Sequence, residues 1–230
     1  MTETGTLHAS TPLITIRSIA VSEMNNKVYL LTHKQSGAQI LIDAADDFPA
    51  IQKFTEAALA TDSPAQVGQP GSGVLALITT HSHWDHIRAL PDAVAGWSPA
   101  TYCGSADADA IAEQESTRIE HLLNGGENLN LAGIELEVIS LRGHTPGSIA
   151  LAYRDPSGEH PVLLFTGDSL FPGGVGKTRA PEDFAQLLAD VSARIFSQYD
   201  DATVVLPGHG DTTTLGAERP HLPEWKERGW

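Results

Sequence analysis

The sequence predicts an α/β fold in which two sheets pack on one another with helices outside. Three observations point there. Short apolar runs rich in β-branched residues alternate with helical spacings, and the order of elements falls into two comparable halves, each with strands followed by a helix and a strand. Several of the apolar runs also end directly in a loop that sets glycine beside histidine or aspartate.

The elements follow in order. Residues 13–19 alternate loosely and read as a strand after a polar, frayed start, while 28–33 and 39–43 read as two more strands joined by a hairpin at 34–37. Asp43, at a strand end, either caps a turn or supports a neighbouring loop. Residues 49–60 carry Ile51, Phe54, Ala58 and Leu59 at helical spacing with Pro49 in the first turn, and the Gly- and Pro-rich stretch 62–73 is a loop. A buried strand at 74–79 precedes a helix over 87–95, a short strand at 101–103 and an Ala-rich helix over 105–114 with Ser105 as its cap. Residues 125–130 form a turn, 134–139 alternate as a strand, and 148–153 and 161–166 flank a hairpin turn. Phe184, Leu187, Leu188, Val191 and Ile195 place a single apolar stripe on a helix over 181–196, and 202–206 is a short buried strand. No repeat or low-complexity segment interrupts this order.

The chain has 230 residues, 41% hydrophobic and 19% charged, which suits one globular domain with a sizeable core over about 13–212 and a short tail at 213–230. Trp225 and Trp230 in that tail are placed to pack on the body or on a neighbouring subunit. A formal charge of −15 repels a phosphate backbone, so nucleic acid is excluded as a partner and a small-molecule substrate is expected. The single cysteine, Cys103, allows no internal disulfide and is expected to pack as a small hydrophobe. With no signal peptide at the polar start and no apolar run of membrane-spanning length, a soluble cytoplasmic protein without membrane contact is the expectation.

The chemistry concentrates in Thr80-His81-Ser82-His83-Trp84-Asp85-His86, where three imidazoles and one carboxylate share six positions at a strand-to-helix turn. Imidazole and carboxylate are ligands of borderline and hard divalent metals, and a core has little use for them at this density. His81 and His83 share a face in an extended stretch, while Asp85 and His86 turn towards a second position, so two adjacent metal sites are expected. Three more strand-end loops offer ligands in the same glycine-flanked setting: Gly143-His144-Thr145-Pro146-Gly147, Gly167-Asp168-Ser169 and Gly208-His209-Gly210. The segment Phe171 to Thr178 has the look of a phosphate loop, but that pattern needs glycine where Phe171 stands.

These motifs resemble the metallo-β-lactamase superfamily, and the His144, Asp168 and His209 loops are similar to those of its glyoxalase II type hydrolases. The resemblance covers about residues 13–212 and implies an αββα sandwich. It implies one metal held by His81, His83 and His144 and another by Asp85, His86 and His209, with Asp168 bridging. Two divalent ions are thereby implied, zinc first, with iron or manganese compatible. A hydroxide between two cations then attacks a thioester or related ester, and Asp85 also orients that nucleophile. The resemblance further points Lys177 at a substrate carboxylate, against the plain alternative of a solvated loop lysine. Glyoxalase II carries a C-terminal helical region that helps hold glutathione, whereas about 20 residues follow Gly210 here, so the carrier thiol stays open. Arg88 also stands where small residues are common, at the expected pocket mouth. Alternative readings are a mononuclear iron enzyme resembling the persulfide dioxygenases, an acyl-homoserine lactone hydrolase, and a metal-free binding protein.

Overall fold

The computed structural model describes residues 4–229; Trp230 lies outside them. The first half of the chain runs β1 (Thr6–Ser10), β2 (Ile14–Val21), β3 (Asn26–His33), β4 (Ala38–Ile42), α1 (Phe48–Asp62), β5 (Gly73–Thr79), α2 (Leu90–Trp97), β6 (Ala100–Gly104), α3 (Ala108–Glu115) and β7 (His121–Leu123). The second runs β8 (Asn128–Leu131), β9 (Ile134–Ser140), β10 (Ile149–Tyr153), β11 (Leu163–Gly167), β12 (Leu170–Phe171), β13 (Gly174–Val175), α4 (Pro181–Val191), β14 (Val204–Pro207), β15 (Thr213–Thr214), α5 (Leu215–Glu218) and α6 (Leu222–Arg228). β1 to β7 form a seven-stranded sheet in chain order, and β15-β14-β11-β10-β9-β8 form a six-stranded sheet. Helical crossovers make β4, β5, β6 and β7 parallel, and β11 pairs with β14 in parallel, while hairpins keep most other pairs antiparallel.

Alternation along the strands sorts the apolar residues into three layers. Ile40 and Ile42 face the other sheet, meeting Leu151, Leu163 and Phe165, while Leu41 between them faces α1 and α2 with Ile51, Phe54 and Leu90. Leu164 likewise turns away from its neighbours to join Leu187, Val191 and Ile195 under α4. Both sheets are thus covered on both faces, which explains why their central strands read as continuous apolar runs. The result is the expected αββα layering. Cys103 is fully buried in the first outer layer, and burial with the charge of Asp107 pushes its thiol up to about 12.

Several local expectations change. The polar start forms edge strand β1, pairing with β2, because exposed strand positions tolerate polar residues. The expected turn at 125–130 is tight enough to release β8 from Asn128. Pro91 belongs in a first helical turn, so α2 starts at Leu90 and not at 87, with a 3₁₀ turn over Trp84–His86 before it. Ser105 is no cap: it enters a 3₁₀ turn and its hydroxyl donates to Asn124 Oδ1 at 2.6 Å. The helix expected to reach residue 196 is α-helical to Val191 and closes with a π turn over Ser192–Phe196. Asp62, read as loop, ends α1 and holds Arg17 through both carboxylate oxygens at 2.6 and 2.8 Å. The tail is helical and lies on the body: Trp225 is 1% exposed and meets Phe196 edge-on at 6.1 Å. No helix among the described residues is long and apolar enough to cross a membrane.

Candidate metal centre

All ligand candidates leave the ends of strands at one edge of the sandwich. His81 to His86 follow β5 in the first sheet, while His144 follows β9, Asp168 follows β11 and His209 follows β14 in the second. Three overlapping groups bring ligand atoms within 4.8 Å of one another: His81, His83 and His144; His81, His86 and Asp168; and Asp85, His86 and His209. Asp168 spans them. Its Oδ1 lies 3.4 Å from His86 Nε2, an ion contact rather than an aligned hydrogen bond, and its Oδ2 lies 3.6 Å from His144 Nε2 and 3.5 Å from His209 Nε2. The close approach depends on Gly208, where a Cβ would collide with Asp168 Oδ1 and His86 Cε1.

The outer nitrogens of the rings are held by polar partners, and these bonds assign the tautomers. His86 Nδ1 donates to Asp43 Oδ2 at 2.9 Å, His144 Nδ1 to the Lys177 carbonyl at 2.7 Å, and His209 Nδ1 to the Met24 carbonyl at 3.0 Å. Thr80 donates its hydroxyl to Asp43, leaving its oxygen to accept from His81 Nδ1 at 3.0 Å. The inner Nε2 lone pairs therefore converge. His86 Nε2 stands 3.1 Å from His209 Nε2, and His83 Nδ1 stands 2.8 Å from His144 Nε2. His83 Nδ1–H can donate to His144 Nε2, whereas His86 and His209, each with Nδ1–H committed to an oxygen, face one another through Nε2 lone pairs that call for a proton or a metal. His81 Nε2 and Asp168 Oδ1 are buried without any hydrogen-bond partner, an arrangement that costs free energy unless something binds there. The donor set, imidazole nitrogens with two carboxylates, fits divalent metal ions.

Electrostatics divides the cluster. Burial, reinforced by the surrounding imidazoles, holds His81 well below the usual histidine range, and burial also lowers His83 and His144. His86 goes the other way: burial opposes its charge, but Asp168 and Asp43 outweigh it and push it up to about 10. His209 is raised against its burial by Asp85 and Asp168. Burial opposes charge on Asp85 and Asp168 as well, yet both sit below the usual carboxylate range, Asp85 through its contacts with His209, His86 and Asn26 and Asp168 mainly through His86.

Asp43 adopts the supporting role that the sequence left open beside capping: besides His86 it accepts Thr80 N at 2.7 Å. Two supports had no sequence signal that separated them from ordinary turn residues. Asn26 donates its amide to Asp85 O and Oδ2 at 2.8 and 3.0 Å. Buried Asp107 accepts Ser82 N at 2.8 Å, Thr145 Oγ1 at 2.5 Å and Gly147 N at 2.7 Å, tying the His81–His83 loop to the His144 loop. In the sequence Asp107 looks like a helix-start aspartate.

Two cavities open beside the cluster, divided by Trp84. The larger, about 720 Å³, is lined by His83 and His144 with Gln114, Arg142, Arg179 and Gln186 among others. The smaller, about 340 Å³, is lined by Met24, Asn26, Trp84, Asp85 and Arg88 among others. Arg88 thus stands at a cavity mouth, as expected. Lys177 is exposed and lines neither cavity; its carbonyl is what reaches the cluster. A third cavity of about 700 Å³ between α4 and α6 is lined by apolar residues, Ser192 and Lys226, with no imidazole or carboxylate.

Known proteins are similar to this chain in sequence and in fold. Hydroxyacylglutathione hydrolase GloC of Haemophilus influenzae is 31% identical over 163 residues, 64% of this chain and 74% of that one. The solved structure of TTHA1623 in a di-iron-bound form is 28% identical and superposes with a TM-score of 0.62 over 88% of this chain and 96% of that one. The BLEG-1 B3 metallo-beta-lactamase, at 23% identity, shares the fold with a TM-score of 0.74 over 91% of this chain and 99% of that one. The sequence profile of the Metallo-beta-lactamase superfamily matches residues 23–209, a span that takes in every ligand candidate. The chain belongs to the metallo-β-lactamase superfamily and is a metal-dependent hydrolase.

Proposed function

We propose that the chain hydrolyses a thioester, or a related ester, at a binuclear centre held by His81, His83 and His144 on one side and Asp85, His86 and His209 on the other, with Asp168 shared. The observation that carries this reading is the position of Asp168, whose two oxygens face histidines of both groups at 3.4 to 3.6 Å. The likeness to a protein named hydroxyacylglutathione hydrolase supports the substrate class, and the nitrogen-rich donor set favours zinc, with iron the competitor suggested by the di-iron relative.

Bound cations supply a water-derived nucleophile near neutral pH and polarise the substrate carbonyl. The chain's own residues fix the geometry for that chemistry. Asp43, Thr80 and the carbonyls of Lys177 and Met24 hold the outer ring nitrogens, so the inner lone pairs cannot rotate away. Asp85, kept ionised and anchored by Asn26, presents a carboxylate oxygen that orients a nucleophilic water. In the reaction, water adds to the acyl carbon, the C–S bond breaks, and the products are a carboxylate, a thiol and one proton. A thiol, with a reference pKa of about 8.5, leaves with little need of a general acid.

The deciding experiment measures metal content and turnover of thioesters, lactones and a thiol persulfide on a single preparation. The expected result is thiol release from thioesters with close to two metals per chain. Oxygen uptake with the persulfide on a single iron would overturn it.

A further inference from the structure

The loop after β9 carries one ligand candidate, His144, and buried aspartates brace it on both flanks. Asp107, from the first sheet, accepts from Thr145 and Gly147 on the far side. On the near side Asp190 of α4, 5% exposed, accepts Arg142 N at 3.1 Å and Arg142 Nε and Nη2 at 3.0 Å each. A two-pronged pair of this kind fixes direction as well as distance, and the main-chain bond ties the backbone two residues before His144 to the helix. Gly143 leaves no slack between them: its φ is +132°, and a Cβ there would collide with Asp183 O and with Leu187 of the same helix. The His144 ring is then held by the Lys177 carbonyl, in the segment that leads into α4. Three successive residues, 142, 143 and 144, thus rest on 177–190.

We propose that Asp190 is a positioning residue for the metal centre: acting through Arg142, it sets the placement of His144 from the second sheet, as Asp107 does from the first. The proposal rests on the reading that His144 binds a metal. Arg194 also lies 3.4 Å from Asp190 Oδ1, but it sits in the turn that closes the same helix and holds no loop. The Arg142 side chain is 49% exposed, so water solvates it once Asp190 is gone and little stability depends on the pair. A second pair of the same shape makes the contrast. Arg17 Nε and Nη2 meet Asp62 at 2.6 and 2.8 Å and are more deeply buried, yet they join β2 to the end of α1, and neither residue adjoins a ligand candidate. That pair serves stability, whereas the Arg142–Asp190 pair serves ligand geometry.

The test titrates the full-length wild type, Asp190→Ala, Arg142→Ala, the double variant and, as a control, Asp62→Ala with cobalt, following the visible spectrum and the heat of binding, and records the thermal midpoint of each metal-free protein. Asp190→Ala is expected to weaken one binding step by about tenfold, the lower end of the range for groups that orient a ligand. The cobalt spectrum of that step changes, while the other step and the midpoint stay close to wild type. Arg142→Ala loses less, because its main-chain N still reaches Asp190, and the double variant loses no more than Asp190→Ala, since both act through one contact. Asp62→Ala does the reverse, lowering the midpoint with metal affinity unchanged. Unchanged affinity and spectrum in Asp190→Ala, or equal losses at both steps, overturn the proposal, while two wild-type steps leave the binuclear reading standing. If Asp190→Ala does not fold, Arg142→Ala decides alone, and no loss at either of its steps overturns the proposal. A wild type with a single step would remove the binuclear reading, and a tenfold loss at that step in Asp190→Ala would keep the role of Asp190. A wild type that binds no cobalt overturns both.

Discussion

The two halves of the candidate metal centre, three histidines on one side and Asp85 with two histidines on the other, shift their imidazoles in opposite directions. His81, His83 and His144 are pushed towards the neutral form by burial and by one another. His86 and His209, beside Asp85, Asp168 and Asp43, are pulled towards the protonated form. The closeness of a carboxylate decides which way burial resolves: His86 lies 2.9 Å from Asp43 and His209 3.2 Å from Asp85, whereas the nearest carboxylate oxygen to His144 stands 3.6 Å away on Asp168. Protons therefore compete with a metal more strongly at the second half than at the first.

The largest effect is expected from removing the group common to both halves. Asp168→Ala lowers kcat/KM by roughly 10³-fold, in line with the several kcal/mol that a bound cation supplies, and lowers metal content measured by atomic absorption. Near-normal activity would take Asp168 out of the centre. Next come two substitutions that weigh on the halves unequally, since Asp43 holds His86 directly and His81 only through Thr80, whereas Asp107 braces the His81–His83 and His144 loops. Asp43→Asn weakens metal binding at the Asp85–His86–His209 half by about 10- to 100-fold, while Asp107→Asn does so at the His81–His83–His144 half through its bonds to Ser82, Thr145 and Gly147. Stepwise titration of the apoprotein with cobalt, followed by its visible spectrum, separates the two; identical effects on both steps would dissolve the distinction between halves.

The smallest effect concerns pH. Burial shifts His81, His83 and His144 towards the neutral form, so protons compete less at their half and its affinity is expected to depend less on pH. His86, raised to about 10, keeps its extra proton across pH 6 to 8 until a metal displaces it, and His209 is shifted in the same direction. Affinity at that half therefore climbs with pH by about tenfold per unit for each proton displaced. Calorimetry in buffers of different ionisation enthalpy counts those protons, and a release of none at either step would show that the asymmetry is absent.

The ligand candidates were legible because each sits in an improbable setting, a histidine or aspartate crowded with others or wedged between glycines at a strand end. Their supports were not. Asp107 reads as a helix-start aspartate and Asn26 as a hairpin residue, since nothing local distinguishes a carboxylate that caps its own helix from one that reaches across 38 or 40 positions to another loop. The layered fold was legible from the apolar runs, whose two buried faces remove the polar alternation of half-exposed strands. β1 and β8 were missed for the converse reason: edge strands such as Asn128–Leu131 keep polar residues on their open sides. The cavities arise only where hairpin tip, 3₁₀ turn and strand-end loops meet. No short segment carries that information.

Each half of the centre draws ligands from both sheets: His81 and His83 from the first with His144 from the second, and Asp85 and His86 from the first with His209 from the second. A bound cation at either position is therefore a cross-link between segments more than 50 positions apart, formed only after the sandwich has closed. Anything that binds the native state alone stabilises it, by about 2.7 kcal/mol at a hundredfold excess over the dissociation constant. On the proposed binuclear reading, metals bound here would act as rivets along the open end of the seam, and chelation would loosen the molecule first where the two sheets part.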